Sequence, residues 1–425
     1  METPWPATDP PLGWLYVDLN SYFASVEQQL QPDLRGRPVA VVPVMSRTTC
    51  AIAASAEAKK HGVKTGTRIY DAEVLCPDLV LVPARHQLYV EFHQKIVAEI
   101  DRHLPVEQVC SIDEVACRLS GSQCEETRAV DIARAVKRGI CTSIGECLTS
   151  SVGIAPNKFL AKVATKLQKP DGLVVLRPSD MEARMAARPL SFLTGIGANM
   201  ELRLQAAGIA DFAALWALSP RAARRAWGSI EGERFVLQLH GVDLAERPSE
   251  RRSIGHSRVL EPALRPAAQA RLVARRLLLK AAMRLRRYGL SARLLGLSVR
   301  SVDGERHGAD VRLAEPSQDS FVFLRALEKL WAAVRREHAA PAYKKIGVVL
   351  ADLMPVAEVM PDLFASAEAQ RLRAKRQALL PLLDRLNHRY GRDAVHFGLR
   401  PAAATDYLGA KIAFTRIPEI VEFGE

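Results

Sequence analysis

No stretch of this chain approaches the ~18 consecutive apolar residues that a membrane-spanning helix needs, so an integral helical membrane protein is not expected. The opening residues, METPWPATDPPLGW, lack the basic segment and the apolar segment of a secretory signal, and a cytoplasmic protein is expected. Cysteine pairs are missing too. The seven cysteines all lie in the first 150 residues, and none forms a CxxC pair. Without that spacing a structural zinc site fits poorly, and a disulfide scaffold would be odd in a reducing compartment. Small, reduced, mostly buried thiols are expected. The ten histidines show no HExxH spacing.

Acidic residues are scarce in one place. Residues 251–300 hold thirteen Arg or Lys and a single acid, Glu261, in a chain whose overall formal charge is +12. A local basic block of this kind points to a polyanionic partner, nucleic acid first, with a solvated Arg-rich helix face as the plain alternative. The rest is ordinary: 425 residues, 48% hydrophobic and 25% charged, which is enough for a sizeable core and several domains.

The pattern divides the chain. Up to residue 177 short apolar strands alternate with helices, an α/β or α+β arrangement. Leu15-Tyr16-Val17 reads as a buried strand ending at Asp18. Ala51 to His61, free of Gly and Pro and stopped by Gly62, reads as one helix. Gln87 to Leu104 reads as a long helix, and Val106 to Leu119 as two strands around Ser111-Ile112-Asp113-Glu114. From Arg177 to about Leu244 the pattern is helical only, and Glu246 to Arg252 reads as a linker. Residues 253–353 mix again, with strands near Ser253 to Leu260, Leu294 to Val302 and Lys345 to Leu350 and helices over Ala267 to Tyr288 and Ser320 to Arg336. A tail follows, with one helix over Glu368 to His388.

Asp18 ends one strand, and Asp113 and Glu114 sit in the bend between two others. A carboxylate at a strand end must be hydrated, hydrogen-bonded or paired with a cation. Together the three could hold hard cations through oxygen ligands, and two such ions ~3.5–4 Å apart clamp both oxygens of an in-line phosphoryl displacement.

The surrounding residues carry a resemblance. Val17-Asp18-Leu19-Asn20-Ser21-Tyr22-Phe23-Ala24-Ser25-Val26-Glu27 resembles the first motif of the Y-family translesion DNA polymerases. Ser111-Ile112-Asp113-Glu114 resembles the second. The stretch Ser151 to Lys162 resembles the third, and Lys169-Pro170-Asp171-Gly172 follows in order. Cys50 to Lys59, with Ala53, Ala56 and Lys59 where polymerase IV types have Thr, Tyr and Arg, resembles the UmuC-type bacterial branch. So do Leu313 to Ser320 and Leu386 to Arg392.

The resemblance implies an α+β multidomain right-hand polymerase. Its palm would be residues 12–21 and 86–177, its small fingers 22–85 and its helical thumb 178–247. An α/β little-finger accessory domain would span 251–353, with a C-terminal tail over 354–425. It also implies that Asp18, Asp113, Glu114 and the Leu19 carbonyl hold two magnesium ions (Mg2+). Lys59 and Lys169 would bind the triphosphate of an incoming deoxynucleotide (dNTP), with Tyr22 and Phe23 beneath its sugar and Phe23 as the gate against a 2′-hydroxyl. Gly195 and Gly197, in a helix-hairpin-helix, and Arg275, Arg276, Lys280, Arg284 and Arg287 would grip primer–template DNA. Leu363-Phe364 keeps the apolar pair of a sliding-clamp peptide, whereas Met360 and Pro361 depart from it, so a clamp contact and an ordinary loop both stay open. Other subunits of a mutagenesis complex are further possible partners. Two rival functions stay in view: a catalytically silent DNA-binding accessory protein, and another two-metal nucleotidyl enzyme on a similar palm, which would leave the basic block without a use.

Overall fold

The computed structural model describes residues 8–47, 49–247, 251–360, 366–390, 394–398, 412 and 417–423. It divides into two compact units, residues 1–246 with 410–423, and residues 247–409 with the last two.

The first unit opens with β1 (Trp14–Leu19), α1 (Tyr22–Leu30), β2 (Val39–Val42), β3 (Ala53–Ala54), α2 (Ala56–Lys60), α3 (Ile69–Leu75) and β4 (Val80–Pro83). It continues with α4 (His86–His103), β5 (Val106–Val109), β6 (Glu114–Arg118), α5 (Glu126–Gly139), β7 (Ser150–Ala155), α6 (Lys158–Leu167) and β8 (Leu173–Val175). Helices α7 (Met181–Met185), α8 (Ala198–Ala206), α9 (Phe212–Trp216), α10 (Pro220–Trp227) and α11 (Ile230–Leu239) complete it.

Its main sheet has the order β5-β6-β1-β7-β8, with β1 antiparallel to both neighbours. Because β1 is central and covered on both faces, all six of its residues are buried. Leu15, Val17 and Leu19 share a core with α4 and α5, while Trp14 and Tyr16 face α6. Helix α6 starts where Asn157 accepts a hydrogen bond from the Leu160 N–H at 2.8 Å. It lies so close on β7 that a Cβ on Gly153 would stand 2.0 Å from the Ala161 carbonyl oxygen, so only glycine fits.

The helix expected over Ala51 to His61 is cut short. Ala53 and Ala54 pair with Val41 and Ala40 as a strand in the second sheet, β3-β2-β4. The Ser55 hydroxyl then caps α2 by accepting from the Ala58 N–H. The mostly buried thiols also need correction. All seven cysteines are free, but only Cys76 and Cys117 are buried, and Cys141 is exposed. Burial pushes the Cys117 thiol up to about 12.

The second unit contains β9 (Ser253–Val259), α12 (Ala267–Arg287), β10 (Leu290–Ser301), β11 (Arg306–Ser317), α13 (Ser320–Glu337), β12 (Tyr343–Pro355) and α14 (Ala367–Tyr390). Its sheet, β11-β10-β12-β9, is antiparallel throughout and shares its core with α12 and α13. Strand β11 was not expected. It is an edge strand with Gly308 and Pro316 in it and an inner face only partly buried, so its apolar alternation is weak. The tail is not one piece: α14 packs in the second unit, and Phe423 is buried in the first unit's core.

Candidate active site

Asp18 and Glu114 stand directly opposite each other in the β1–β6 register. Side chains two apart on a strand share a face, so Asp18 lies on Tyr16's side, toward α6, and Glu114 lies on the side of Ala116. Asp113 precedes β6. The Leu19 N–H donates to the Asp113 carbonyl at 2.8 Å, which ties the bend to the end of β1. One end of the sheet therefore gathers Asp18, Leu19, Asp113 and Glu114.

Each carboxylate is engaged. Asp18 Oδ1 accepts from Lys169 Nζ at 2.5 Å, and Asp113 Oδ1 accepts from the Ser111 hydroxyl at 2.5 Å. Glu114 Oε2 accepts from the Tyr16 hydroxyl at 2.8 Å and from Lys162 Nζ at 2.6 Å. Burial raises the pKa of Asp18, Lys169 opposes that, and the charges of Glu114 and Asp113 add to it. Burial also raises Asp113, against the Ser111 bond and with Glu114 adding.

Among the described residues no three acidic, histidine or cysteine groups gather closely enough to hold a metal ion. A ready-made three-carboxylate cage is thus absent: Lys169 bonds Asp18, while Lys162 and Tyr16 bond Glu114. The donors nonetheless suit a hard divalent cation. They are all oxygen, and two of them, buried Asp18 and half-buried Asp113, are carboxylates pushed toward protonation by burial and further by like charge, a condition that a cation relieves.

The two expected lysines meet here. Lys169 is delivered by a fastened loop. Lys137 Nζ donates to the Asp171 carboxylate at 2.6 Å, the Asp171 carbonyl at 2.7 Å and the Ser150 carbonyl at 2.6 Å. The Asp171 N–H donates to Asn20 Oδ1 at 2.8 Å. A Cβ on Gly172 would lie 1.9 Å from the Gln168 carbonyl oxygen, so the turn requires glycine. Lys59 Nζ donates to the Ser21 hydroxyl at 2.8 Å. Its pKa is lowered by burial and by Lys169, against the pull of Asp18 and Asp113, so all four groups share one field.

Tyr22 is buried, its hydroxyl donating to the Tyr89 carbonyl at 2.6 Å. Phe23 is partly buried and stacks on Tyr89, with ring centroids 4.3 Å apart and planes at 13°. Tyr16, Lys162, Lys137, Asn20 and Ser111 were not singled out from sequence. Lys158, Lys162 and Lys166 recur every fourth residue, the spacing that puts side chains on one helix face, and that signal could have found Lys162.

In the helical segment Gly195 has φ +94° and Gly197 is the N-cap of α8, with no side-chain cap and open space where a Cβ would be. This suits a helix-hairpin-helix.

Helix α12 carries the expected basic residues, several of them already engaged within the second unit. Arg275 Nη1 is 2.5 Å from Glu328 Oε1. Arg284 is buried, with Nη1 3.1 Å from His256 Nε2. Arg276 and Lys280 line a cavity of about 100 Å³ between α12 and α14. Arg287 is exposed. The neighbouring Arg286 makes two bonds to the Asp384 carboxylate, at 2.6 and 2.8 Å. The reason is that α13 and α14 supply acids, Glu328 and Asp384, from beyond the 251–300 window.

The outer face of the second unit's sheet does display charge. Ala292, Leu295, Leu297 and Val299 face the helices, which turns Gly296, Ser298 and Arg300 the other way. Gly296 registers with Asp310 and Val349, Ser298 with Gly308 and Gly347, and Arg300 with Arg306 and Lys345. The result is a trough of about 480 Å³, lined by Gly255, Ser257, Gly296, Ser298, Gly308 and Gly347 among others. Arg300, Arg306 and Lys345 lie beyond one end of it.

The profile of the impB/mucB/samB family matches residues 17–166, and that of its C-terminal domain matches residues 251–363. The DNA polymerase IV of Moorella thermoacetica is 33% identical over 393 residues, which cover 90% of this chain and 94% of the relative. That of Pelotomaculum thermopropionicum is 30% identical over 391 residues, covering 90% and 93%. The chain belongs to the Y family of DNA polymerases. The fold agrees. A solved Y-family DNA polymerase chimera superposes with a TM-score of 0.68 at 22% identity, covering 81% of this chain and 99% of the other. The α+β multidomain, right-hand polymerase architecture expected from sequence is the fold of this family. No helix among the described residues is long and apolar enough to cross a membrane. Leu363 and Phe364, for which a clamp contact and an ordinary loop both stayed open, lie outside the described residues.

Proposed function

We propose that this Y-family polymerase extends a primer 3′-hydroxyl with deoxynucleotides on a DNA template, in translesion synthesis. The observation that carries the reading is that Asp18, Asp113 and Glu114 lie at one end of the main sheet with Lys169 and Lys59 beside them. In phosphoryl transfer the protein supplies positioning and charge more than covalent chemistry.

Asp18, Asp113, Glu114 and the Leu19 carbonyl are the groups that would hold divalent cations, two magnesium ions in our assignment. Such ions supply charge neutralisation at the triphosphate and a lowered pKa at the primer hydroxyl. Lys169, held beside Asp18, is placed to pass its ammonium to a phosphate, and Lys59 presents a second cation. Lys162 and Tyr16 fix the orientation of Glu114. Phe23 closes off the space that a ribose 2′-hydroxyl would need.

We assign residues 12–21 and 86–177 to the palm, 22–85 to the fingers, 178–247 to the thumb and 251–353 to the little finger. The DNA grip of the little finger moves from α12 to the outer sheet face, where Arg300, Arg306 and Lys345 stand beside a trough shallow enough for a sugar–phosphate chain. Phosphate contacts of this kind carry no sequence code. A sliding clamp and other mutagenesis-complex subunits are further partners in this reading.

The test is primer extension by the purified chain with Mg2+, templated by an undamaged and a lesion-bearing strand. Template-directed extension is expected on both. DNA binding without any extension would favour the silent accessory reading instead.

A further inference from the structure

Glu27 has no solvent-exposed surface and takes no part in the acid cluster described above. A buried carboxylate is costly unless it is paired and hydrogen-bonded. Here it is bonded four times. Arg85 donates to it through Nε, at 3.1 Å, and through Nη2. The Tyr89 hydroxyl donates at 2.7 Å, and Gln31 Nε2 donates at 2.9 Å. The sequence explains the convergence. Phe23, Glu27 and Gln31 recur every fourth residue along α1, and Arg85 and Tyr89 stand four apart at the start of α4, so two matching helix faces meet.

Tyr89 is where this network reaches the nucleotide side. Its ring lies nearly parallel to that of Phe23, and its carbonyl holds the Tyr22 hydroxyl. The His86 ring meets Phe23 and Tyr89 edge-on, at 6.2 and 6.1 Å. Phe23 is thus backed face to face by Tyr89, with His86 and Tyr22 at its sides, and the Tyr89 ring is fixed at its far end by the Glu27–Arg85 pair. A steric gate discriminates only if it does not yield, since a hydroxyl needs about the space that a small ring displacement would open.

We propose that Glu27 and Arg85 are positioning residues for sugar selection. By fixing Tyr89 they hold the Phe23 ring against a ribose 2′-hydroxyl. The inference rests on the reading of Phe23 as the sugar gate.

The experiment measures kcat/KM for a deoxynucleotide and the matching ribonucleotide in wild type, Phe23→Ala, Tyr89→Phe and the double variant Glu27→Leu/Arg85→Met. The double variant removes the pair without leaving a bare buried charge, which keeps folding in reach. Tyr89→Phe keeps the stacked ring and removes only its bond to Glu27. The ratio of the two sugars is the readout, because general loosening lowers both rates together. Phe23→Ala is expected to lower the ratio roughly 100-fold, and the other two variants roughly 10-fold, the scale of a small steric change in a pocket. If Phe23→Ala collapses the ratio while Tyr89→Phe and the double variant both keep the wild-type value, the inference falls and the gate stands. If Phe23→Ala itself leaves the ratio unchanged, the gate reading falls and takes the inference with it.

Discussion

The five-stranded sheet of the first unit keeps its charge inside. Asp18 is buried at the end of β1, and each carboxylate of the site has a fixed partner. The four-stranded sheet of the second unit keeps charge on its outer face, at Arg306 and Lys345, with Gly, Ser and Asp310 in the middle. Helix α12 of the same unit has the higher density of arginines, yet Arg275 and Arg286 are tied to Glu328 and Asp384. What separates the two roles is therefore whether a charge is already satisfied. Chemistry on phosphates needs charges fixed in low-dielectric surroundings before substrate arrives. Gripping a polyanion needs charges that still release counterions when it binds.

The largest expected effect breaks the first half of this contrast. Asp113→Asn should lower Mg2+-dependent primer extension by about a thousandfold or more. It should also stabilise the metal-free protein. Burial holds the pKa of Asp113 above its unfolded value, so the folded state binds the proton more tightly. Stability from this group is then present at low pH and is lost as pH rises through the folded pKa. Asparagine removes that loss, so the melting temperature at pH 7 should rise by a few degrees, on the scale of ~1 kcal/mol. Calorimetry and primer extension on the same preparation check both. A variant with lower thermal stability would mean that Asp113 is not a strained charge.

The second prediction sharpens the other half. Reversing Arg306 and Lys345 to Glu should weaken primer–template binding to all sequences alike. It should flatten the plot of log K against log salt by about 0.9 for each phosphate that the protein no longer neutralises. Arg275→Ala should leave that slope unchanged and lower the melting temperature, because it breaks a half-buried ion pair with Glu328. Binding titrations across a salt series separate the two. An unchanged slope in the sheet variant, with a changed one in Arg275→Ala, would return the grip to α12.

Much of this is legible in the sequence. The strand ending at Asp18, the bend at Asp113-Glu114 and the loop carrying Lys169 stand out because strong apolar runs stop at polar residues. That they form a catalytic set is what the family resemblance implies. The partners of that set are not legible. Lys162 reaches Glu114 from 48 positions away and Lys137 reaches Asp171 from 34, and local spacing does not encode which elements will be adjacent. Which members of the basic block are already paired is hidden for a related reason, since counting charge in a window omits acids such as Glu328 and Asp384 that fold back from outside it. The UmuC-type reading rests on the residues around Ala53, Ala56 and Lys59, while the relatives compared above carry the polymerase IV name.

Lys59 gives the smallest and most discriminating test. It occupies the position where polymerase IV types have arginine, and its ammonium donates to the Ser21 hydroxyl. Burial and the Lys169 charge hold its pKa below the usual lysine range. An ammonium with a lowered pKa gives up its proton earlier as pH rises, so its hold on a triphosphate should weaken toward pH 10. A guanidinium stays charged throughout and can bond two phosphate oxygens at once. Lys59→Arg should therefore lower the KM for deoxynucleotide several-fold at pH 7.5, about the worth of one extra charge-assisted bond at ~1 kcal/mol. The advantage should widen as pH rises, because the lysine gives up its proton before a guanidinium does. Steady-state KM values measured from pH 7.5 upward decide it. Two KM curves that stay parallel would mean that Lys59 does not touch the triphosphate and that Lys169 alone supplies the cation.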